Sequence, residues 1–319
     1  MEYRRLGRAG MKVSSVGLGS WLTYGGTVEE DTATACIRRA FELGVNFFDT
    51  ANAYVRGRSE EVMGKALADF RRDDYVLATK VFFPMGDGPN DRGLSRKHVW
   101  EQLHHSLHRL GVDYVDLYQC HRYDEDTPLE ETCEVMNDLI RAGKVLYWGT
   151  SEWTADQIAH AVGICRAEGM HAPASNQPQY SALYRRVERR VLGVSEDLGI
   201  GNVVWSPLAQ GVLTGKYFSV DDLPEDSRAA GEGRSFMAGF LRQETLDAVQ
   251  LLQPVADELG VTMSQLALAW VLRQRAVASV IVGATKVGHV DDNVAAGDLE
   301  VPPDALARVS EVLDDVAST

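Results

Sequence analysis

The stretch Glu30-Asp31-Thr32-Ala33-Thr34-Ala35-Cys36-Ile37-Arg38-Arg39-Ala40-Phe41-Glu42-Leu43-Gly44-Val45-Asn46-Phe47-Phe48-Asp49 decides the fold. Ala33, Ile37, Ala40 and Phe41 recur at helical spacing, Gly44 stops the helix, and 45–49 follows as a short apolar strand ending in an acid. The same order of apolar helix, glycine and apolar strand recurs along the chain. Arg96–Leu110 carries Val99, Leu103, Leu107 and Leu110 and stops at Gly111 before a strand over 114–120. Leu129–Arg141 runs to Gly143 before a strand over 145–149, and a helix over 155–168 ends at Gly169. Such a repeat is the sequence form of a parallel sheet joined by helical crossovers.

Further strands are predicted over 15–19, 76–80, 174–177, 202–205 and 279–282, and an apolar helix opened by Thr262 over 263–273. Eight strands in one unbroken alternation favour a closed (β/α)8 TIM barrel, preceded by a β-hairpin over 3–13, with 1–319 as a single domain. The open doubly wound sheet is disfavoured. Its Gly-x-Gly-x-x-Gly turn would fall at Gly17-Leu18-Gly19-Ser20-Trp21-Leu22, where the third glycine is missing. The long loops 83–95 and 209–241 both follow strands, which puts them on the carboxyl rim.

A hydrophobic fraction of 45% with 24% charged residues describes a globular protein with a large core. The net charge of -14 argues against a general nucleic-acid or anionic-membrane binder. The chain has no apolar run long enough for a spanning helix and no signal-like start, so a cytoplasmic protein without membrane insertion is expected. Cys36, Cys120, Cys133 and Cys165 form no Cys-x-x-Cys pair and read as free thiols. His104, His105 and His108 lack the Glu of a His-Glu-x-x-His motif and read as a solvated helix flank, so no metal is expected. The acidic run 221–226 reads as a solvated segment.

The chemistry lies at the strand ends. One strand ends at Asp49 with Tyr54 a short loop later, the next ends at Lys80, and the next at His121. With these residues pointing inward, strand alternation puts Val45, Phe47, Val76, Ala78, Val115, Leu117 and Gln119 on the same inner faces. A lysine buried there requires a counter-charge, and Asp49 is the natural one. The cation is expected to lower the pKa of Tyr54 by favouring phenolate, and His121 to orient a carbonyl or relay a proton. Cys120 beside His121 points to the opposite face, which excludes a thiol-imidazole pair.

With Asp49-Thr50-Ala51-Asn52-Ala53-Tyr54, Lys80 and His121, the chain resembles the aldo-keto reductase superfamily. The likeness continues through Gly149-Thr150-Ser151, Asn176-Gln177, the segment from Trp205-Ser206-Pro207 to Tyr217, and Ile281-Val282-Gly283-Ala284-Thr285-Lys286 with Asn293. Gly19-Ser20-Trp21 and Trp148-Gly149-Thr150-Ser151 are similar to the potassium-channel β-subunit branch. The resemblance implies NADP(H) bound without a Rossmann domain, a small-molecule carbonyl substrate, and Asp49, Tyr54, Lys80 and His121 as catalytic, with Tyr54 the general acid. It further implies cofactor contacts from Gly19, Ser20, Trp21, Asp49, Ser151, Gln177 and Trp205. Ser206, Pro207, Leu208, Ala209, Gln210 and Gly211 would continue that surface. Lys216, Arg228, Gly283, Thr285, Lys286, His289, Asp292 and Asn293 would complete it. His289 and Asp292 stand where the β-subunit branch usually has Gln and Glu. His121 stands where channel subunits carry Asn, which points to a working reductase. Relatives of this branch often form tetramers or octamers.

Three readings follow: an NADPH-dependent reductase of aldehydes or ketones, an NADP(H)-sensing regulatory subunit, and a barrel lyase using Lys80 as a Schiff-base nucleophile. The Asp49 partner of Lys80 disfavours the last. Trp21, Tyr24, Phe83 and Trp153 are expected to make the substrate pocket aromatic.

Overall fold

The computed structural model describes residues 1–225 and 227–319; Asp226, at the end of the acidic run, lies outside the described residues. The chain opens with the predicted hairpin, β1 (Tyr3–Arg5) antiparallel to β2 (Lys12–Ser14). Eight parallel strands then close into a barrel. They are β3 (Val16–Gly19), β4 (Phe47–Asp49), β5 (Val76–Val81), β6 (Val115–Cys120), β7 (Val145–Ser151), β8 (Ser175–Gln177), β9 (Gly201–Trp205) and β10 (Val277–Val282). They follow one another around the barrel in chain order, and β10 closes it by pairing with both β9 and β3.

The connecting helices are α1 (Glu30–Glu42), α2 (Arg58–Leu67), α3 (Arg96–Leu110), α4 (Leu129–Arg141), α5 (Ala155–Ala167) and α6 (Val191–Leu198). Between β9 and β10 the chain makes α7 (Gln243–Gln250), α8 (Gln253–Leu259) and α9 (Met263–Leu272), and after the barrel α10 (Val287–Ala295) and α11 (Pro303–Leu313). Thr154 and Thr262 open α5 and α9 with capping boxes completed by Gln157 and Gln265. Several helices carry no such signal. α2 starts directly out of a left-handed turn at Gly57 with no side-chain cap, which explains why the sequence reading passes over it. No single helix among the described residues is long and apolar enough to cross a membrane.

Two apolar layers hold the strands. Outside the barrel, Ile37, Ala40, Leu103, Leu139 and Ile158 of the helices pack against Leu18, Phe48, Leu77 and Tyr118. Inside, Phe47, Val76, Ala78, Leu117, Val203, Ala278 and Ile281 fill the lumen, with Leu6 and Val13 of the hairpin beneath them. Gly17 and Gly19 face inward because the lumen is already full. A Cβ at either would lie 2.6 Å from Phe47 or Ile281. The predicted inner faces hold for Phe47, Val76, Ala78 and Leu117. Val45 and Val115 instead join the outer layer: Val45 precedes β4, and Val115 is the first residue of β6. All four cysteines are free and buried.

Candidate active site

Above the apolar lumen the inward residues become polar. Asp49 ends β4, Lys80 sits near the end of β5, Gln119 near the end of β6, and Gln177 ends β8. Lys80 is fully buried, and its three donors reach the Asp49 carboxylate, the Thr50 carbonyl at 2.8 Å and the Tyr54 hydroxyl at 3.1 Å. The second Asp49 oxygen accepts from Gln177 at 2.9 Å and Gln119 at 3.2 Å. Every valence of this buried pair is therefore met, the condition under which such a pair is tolerated. The sequence reading assigns Gln177 to the cofactor and gives Gln119 no role; both clamp Asp49.

Tyr54 receives the Lys80 bond, and its own proton meets no acceptor among the described residues. Its ring lies 5.6 Å from that of His121, edge-on, and Lys80 lies 4.8 Å from its centre. Burial holds the phenol above its ordinary pKa; the Lys80 charge pulls it back down, and Asp49 pushes it up again. The expectation of a net lowering is thus corrected, because desolvation outweighs the cation. For Lys80, burial pulls downward, but Asp49 and then Tyr54 outweigh it, so it remains an ammonium. Burial, then Lys80 and Arg122, hold His121 well below its ordinary pKa, so the imidazole is neutral at physiological pH, and its Nδ1 has no partner among the described residues.

A cavity of about 940 Å³ opens over this group. Each barrel strand, or the turn after it, contributes to the wall: Gly19, Asp49, Phe83, His121, Ser151, Gln177, Trp205 and Ile281 in strand order. The cavity therefore occupies the carboxyl end of the barrel, where the fold's variable loops gather. Of the residues singled out from sequence, Trp21, Tyr54, Ser206, Pro207, Leu208, Gln210 and Gly211 also line it. So do Lys216, Arg228, Gly283, Thr285, Lys286, His289, Asp292 and Asn293. Lys80 stands just beneath. Two do not reach the wall. The Ser20 hydroxyl instead bonds Thr50 Oγ1 at 2.9 Å, and Ala209 is fully buried in its turn.

The aromatic pocket differs from expectation. Trp21 and Phe83 line it, whereas Tyr24 is buried beneath and Trp153 packs on Tyr123. Phe236, which sequence reasoning passed over, reaches the wall from the long 209–241 loop and meets Trp21 edge-on at 5.0 Å. Trp21 meets Trp205 at 5.7 Å, and Glu152 fixes Trp205 through its indole N–H at 2.8 Å.

The 206–211 turn is strained, with Ser206, Ala209 and Gln210 all at positive φ. Its amides are engaged internally: Ala209 donates to Ser206 O, Gln210 to Ser206 Oγ and Gly211 to Leu208 O. Charge for an anionic ligand comes instead from Lys216, Arg228 and Lys286, and from the start of α10, which has no side-chain cap. Asp292, on the same wall, is occupied by Thr262 and Gln265.

The aldo/keto reductase family model matches residues 15–314. The chain belongs to that family. Among its relatives, a probable voltage-gated potassium channel subunit beta from Oryza sativa subsp. japonica is 44% identical, over 98% of this chain and 97% of the relative. One from Arabidopsis thaliana is equally similar over the same shares, and a putative one from Schizosaccharomyces pombe is 43% identical over 98% and 94%. The likeness to the β-subunit branch read from the sequence is therefore found along almost the entire chain of this aldo/keto reductase.

Proposed function

We propose that this protein is an NADPH-dependent oxidoreductase that reduces an aldehyde or ketone to an alcohol, with Tyr54 as general acid. The observation that carries this reading is the Tyr54 hydroxyl, which accepts a hydrogen bond from Lys80 and, among the described residues, donates to no protein acceptor at the cavity wall. A donor so placed protonates a carbonyl oxygen as that oxygen gains charge, and takes the proton back from an alcohol in reverse. Lys80 stabilises the phenolate left behind, and Asp49, held by Gln119 and Gln177, keeps Lys80 charged and aimed. Neutral His121 is a positioning donor for the same oxygen.

A reduced nicotinamide bound in the cavity supplies the hydride. The donor set suits such a cofactor. Trp205 offers a fixed aromatic face, Ser151 and Gln177 are polar groups beside it, and Lys216, Arg228 and Lys286 bring cations for phosphates. Lys286 with Thr285 at the start of α10 suits a 2′-phosphate, which favours NADPH over NADH. In this reading residues 1–319 are one domain, working in the cytoplasm on a small molecule, with no nucleic-acid partner; light scattering would test a tetramer or octamer.

The test is NADPH oxidation with a panel of aldehydes and ketones, with Tyr54→Phe alongside. Absence of turnover, or undiminished turnover in the variant, overturns the assignment. A regulatory-subunit role is the second reading, favoured by the names of the rice, Arabidopsis and fission-yeast relatives. Turnover far below the roughly 1–1000 per second usual for enzymes would favour it.

A further inference from the structure

The wall of the cavity carries two cations beyond the three assigned to the cofactor phosphates. In a chain of net charge -14, it holds Arg56, Arg122, Lys216, Arg228 and Lys286 against Asp49 and Asp292. Asp49 is neutralised by Lys80, and Asp292 is hydrogen-bonded to Thr262 and Gln265. Lys216, Arg228 and Lys286 belong to the long 209–241 loop and the turn after β10. Arg56 and Arg122 belong to different segments, the turns that carry Tyr54 and His121.

Neither of these two arginines has a carboxylate partner among the described residues, although acids are close in sequence. Arg58 takes Glu30 and Glu61, and Arg109 takes Glu60. Asp124 accepts from Leu94 N at 2.6 Å, Thr127 Oγ1 at 2.8 Å and Asp126 N at 3.1 Å. Arg122 donates only to the carbonyl of His121 and lies over the Phe83 ring at 5.4 Å, while Phe83 meets the His121 ring at 4.8 Å. The turn bearing Arg56 is strained. Val55 has φ 48° and Arg56 φ 51°, and the first is a β-branched residue in the left-handed region. Such a conformation persists only where the surroundings enforce it, and here Gly57 at φ 91° is packed on Arg109, whose Cδ would lie 2.6 Å from an added Cβ.

We propose that the substrate is an anionic carbonyl compound, whose carboxylate or phosphate is held by Arg56 and Arg122 while its carbonyl faces Tyr54. The guanidinium is the side chain whose donor fork matches such oxyanions, and two of them line the cavity onto which Tyr54 opens. Because the chain as a whole is acidic, the local positive wall also selects which anions enter. This inference rests on the reductase reading, with the substrate class as its new content.

The test compares kcat/KM for para-carboxybenzaldehyde and para-formylphenyl phosphate with that for neutral para-methylbenzaldehyde, in the wild type, Arg56→Gln, Arg122→Gln and the double variant. The wild type should favour at least one anionic aldehyde by about tenfold or more, as expected for charged hydrogen bonds. Each single variant should cut that ratio severalfold, and the double variant should bring it to within about threefold of unity. Preference for only one anionic probe supports the proposal and identifies the oxyanion. Equal wild-type values for all three aldehydes, or a ratio that survives in the double variant, overturn it while leaving the reductase reading intact. If none of the three is reduced, the reductase reading fails, and binding of benzoate and phenyl phosphate, followed through tryptophan fluorescence, decides the anion site. Binding lost in the double variant supports the site, and no binding, or binding unchanged in that variant, overturns it.

Discussion

Strand β5 leads into two buried ion pairs, one on each face, and only one of them ends at a movable proton. On the inner face Lys80 pairs with Asp49; on the outer face Thr79 donates to Glu60 at 2.5 Å, and Glu60 pairs with Arg109 at 2.6 Å. Lys80 and Glu60 are both fully buried. Both networks satisfy their charges with hydrogen bonds, which lets a folded protein keep them. The outer network is closed on itself and ties β5 to α2 and α3. The inner one has an outlet, because the last Lys80 donor goes to Tyr54, which lines the cavity and donates to no acceptor among the described residues. Burial and charge alone therefore do not separate the pair proposed for catalysis from a structural one. The distinction is a leftover hydrogen-bonding position open to a ligand.

The largest test of this contrast is Tyr54→Phe, which removes the outlet and keeps both pairs. Its kcat should fall by about 10²–10⁴, the range of a lost general acid, while the NADPH dissociation constant from fluorescence titration stays within about threefold. Next come Lys80→Met and Glu60→Gln, compared side by side. Lys80→Met should lower kcat at least about a hundredfold. Glu60→Gln leaves Arg109 without its counter-charge and should cost about 3–5 kcal/mol in denaturant unfolding, with kcat per folded molecule nearly unchanged. A catalytic collapse in folded Glu60→Gln would erase the distinction between the two pairs.

A smaller effect is expected where charge meets a ligand across solvent. Lys286→Met should reduce the preference for NADPH over NADH by roughly tenfold, read from the two dissociation constants. Equal effects on both cofactors would remove Lys286 from 2′-phosphate recognition. The smallest effect is in the pH profile. Reduction needs protonated Tyr54, whose pKa burial holds above the ordinary phenol value, so the rate should stay level across neutral pH and decline only at strongly alkaline pH. His121, held well below its ordinary value, should add no limb near pH ~6.5. A limb there would mean that the imidazole titrates in the working enzyme.

Much of this architecture is legible in the sequence. All eight barrel strands are placed by short strand-like runs, four of them following a helix stopped by Gly44, Gly111, Gly143 or Gly169, because a β/α repeat writes its period into the sequence. Asp49, Tyr54, Lys80 and His121 stand out because ionisable residues ending apolar strands are chemically conspicuous. Gln119 was not given a role, since a neutral amide on a strand carries no signal until its neighbour across the barrel is known. Phe236 was missed for a related reason: its loop has no periodicity, and only closure over Trp21 brings it to the wall. Tyr24 and Trp153 went the other way. Aromatic residues near the rim looked like pocket walls, and packing drew them into the core.

By itself the sequence determined the barrel, most of its inward faces and which four ionisable side chains meet at its mouth, because these depend on local periodicity and residue chemistry. The tertiary structure decided the direction of the Tyr54 shift, the amide clamp on Asp49 and the lack of a carboxylate partner for Arg56 and Arg122 among the described residues. Each of those depends on which groups from distant segments share a low-dielectric volume, and desolvation and pairing are properties of that volume rather than of any one residue.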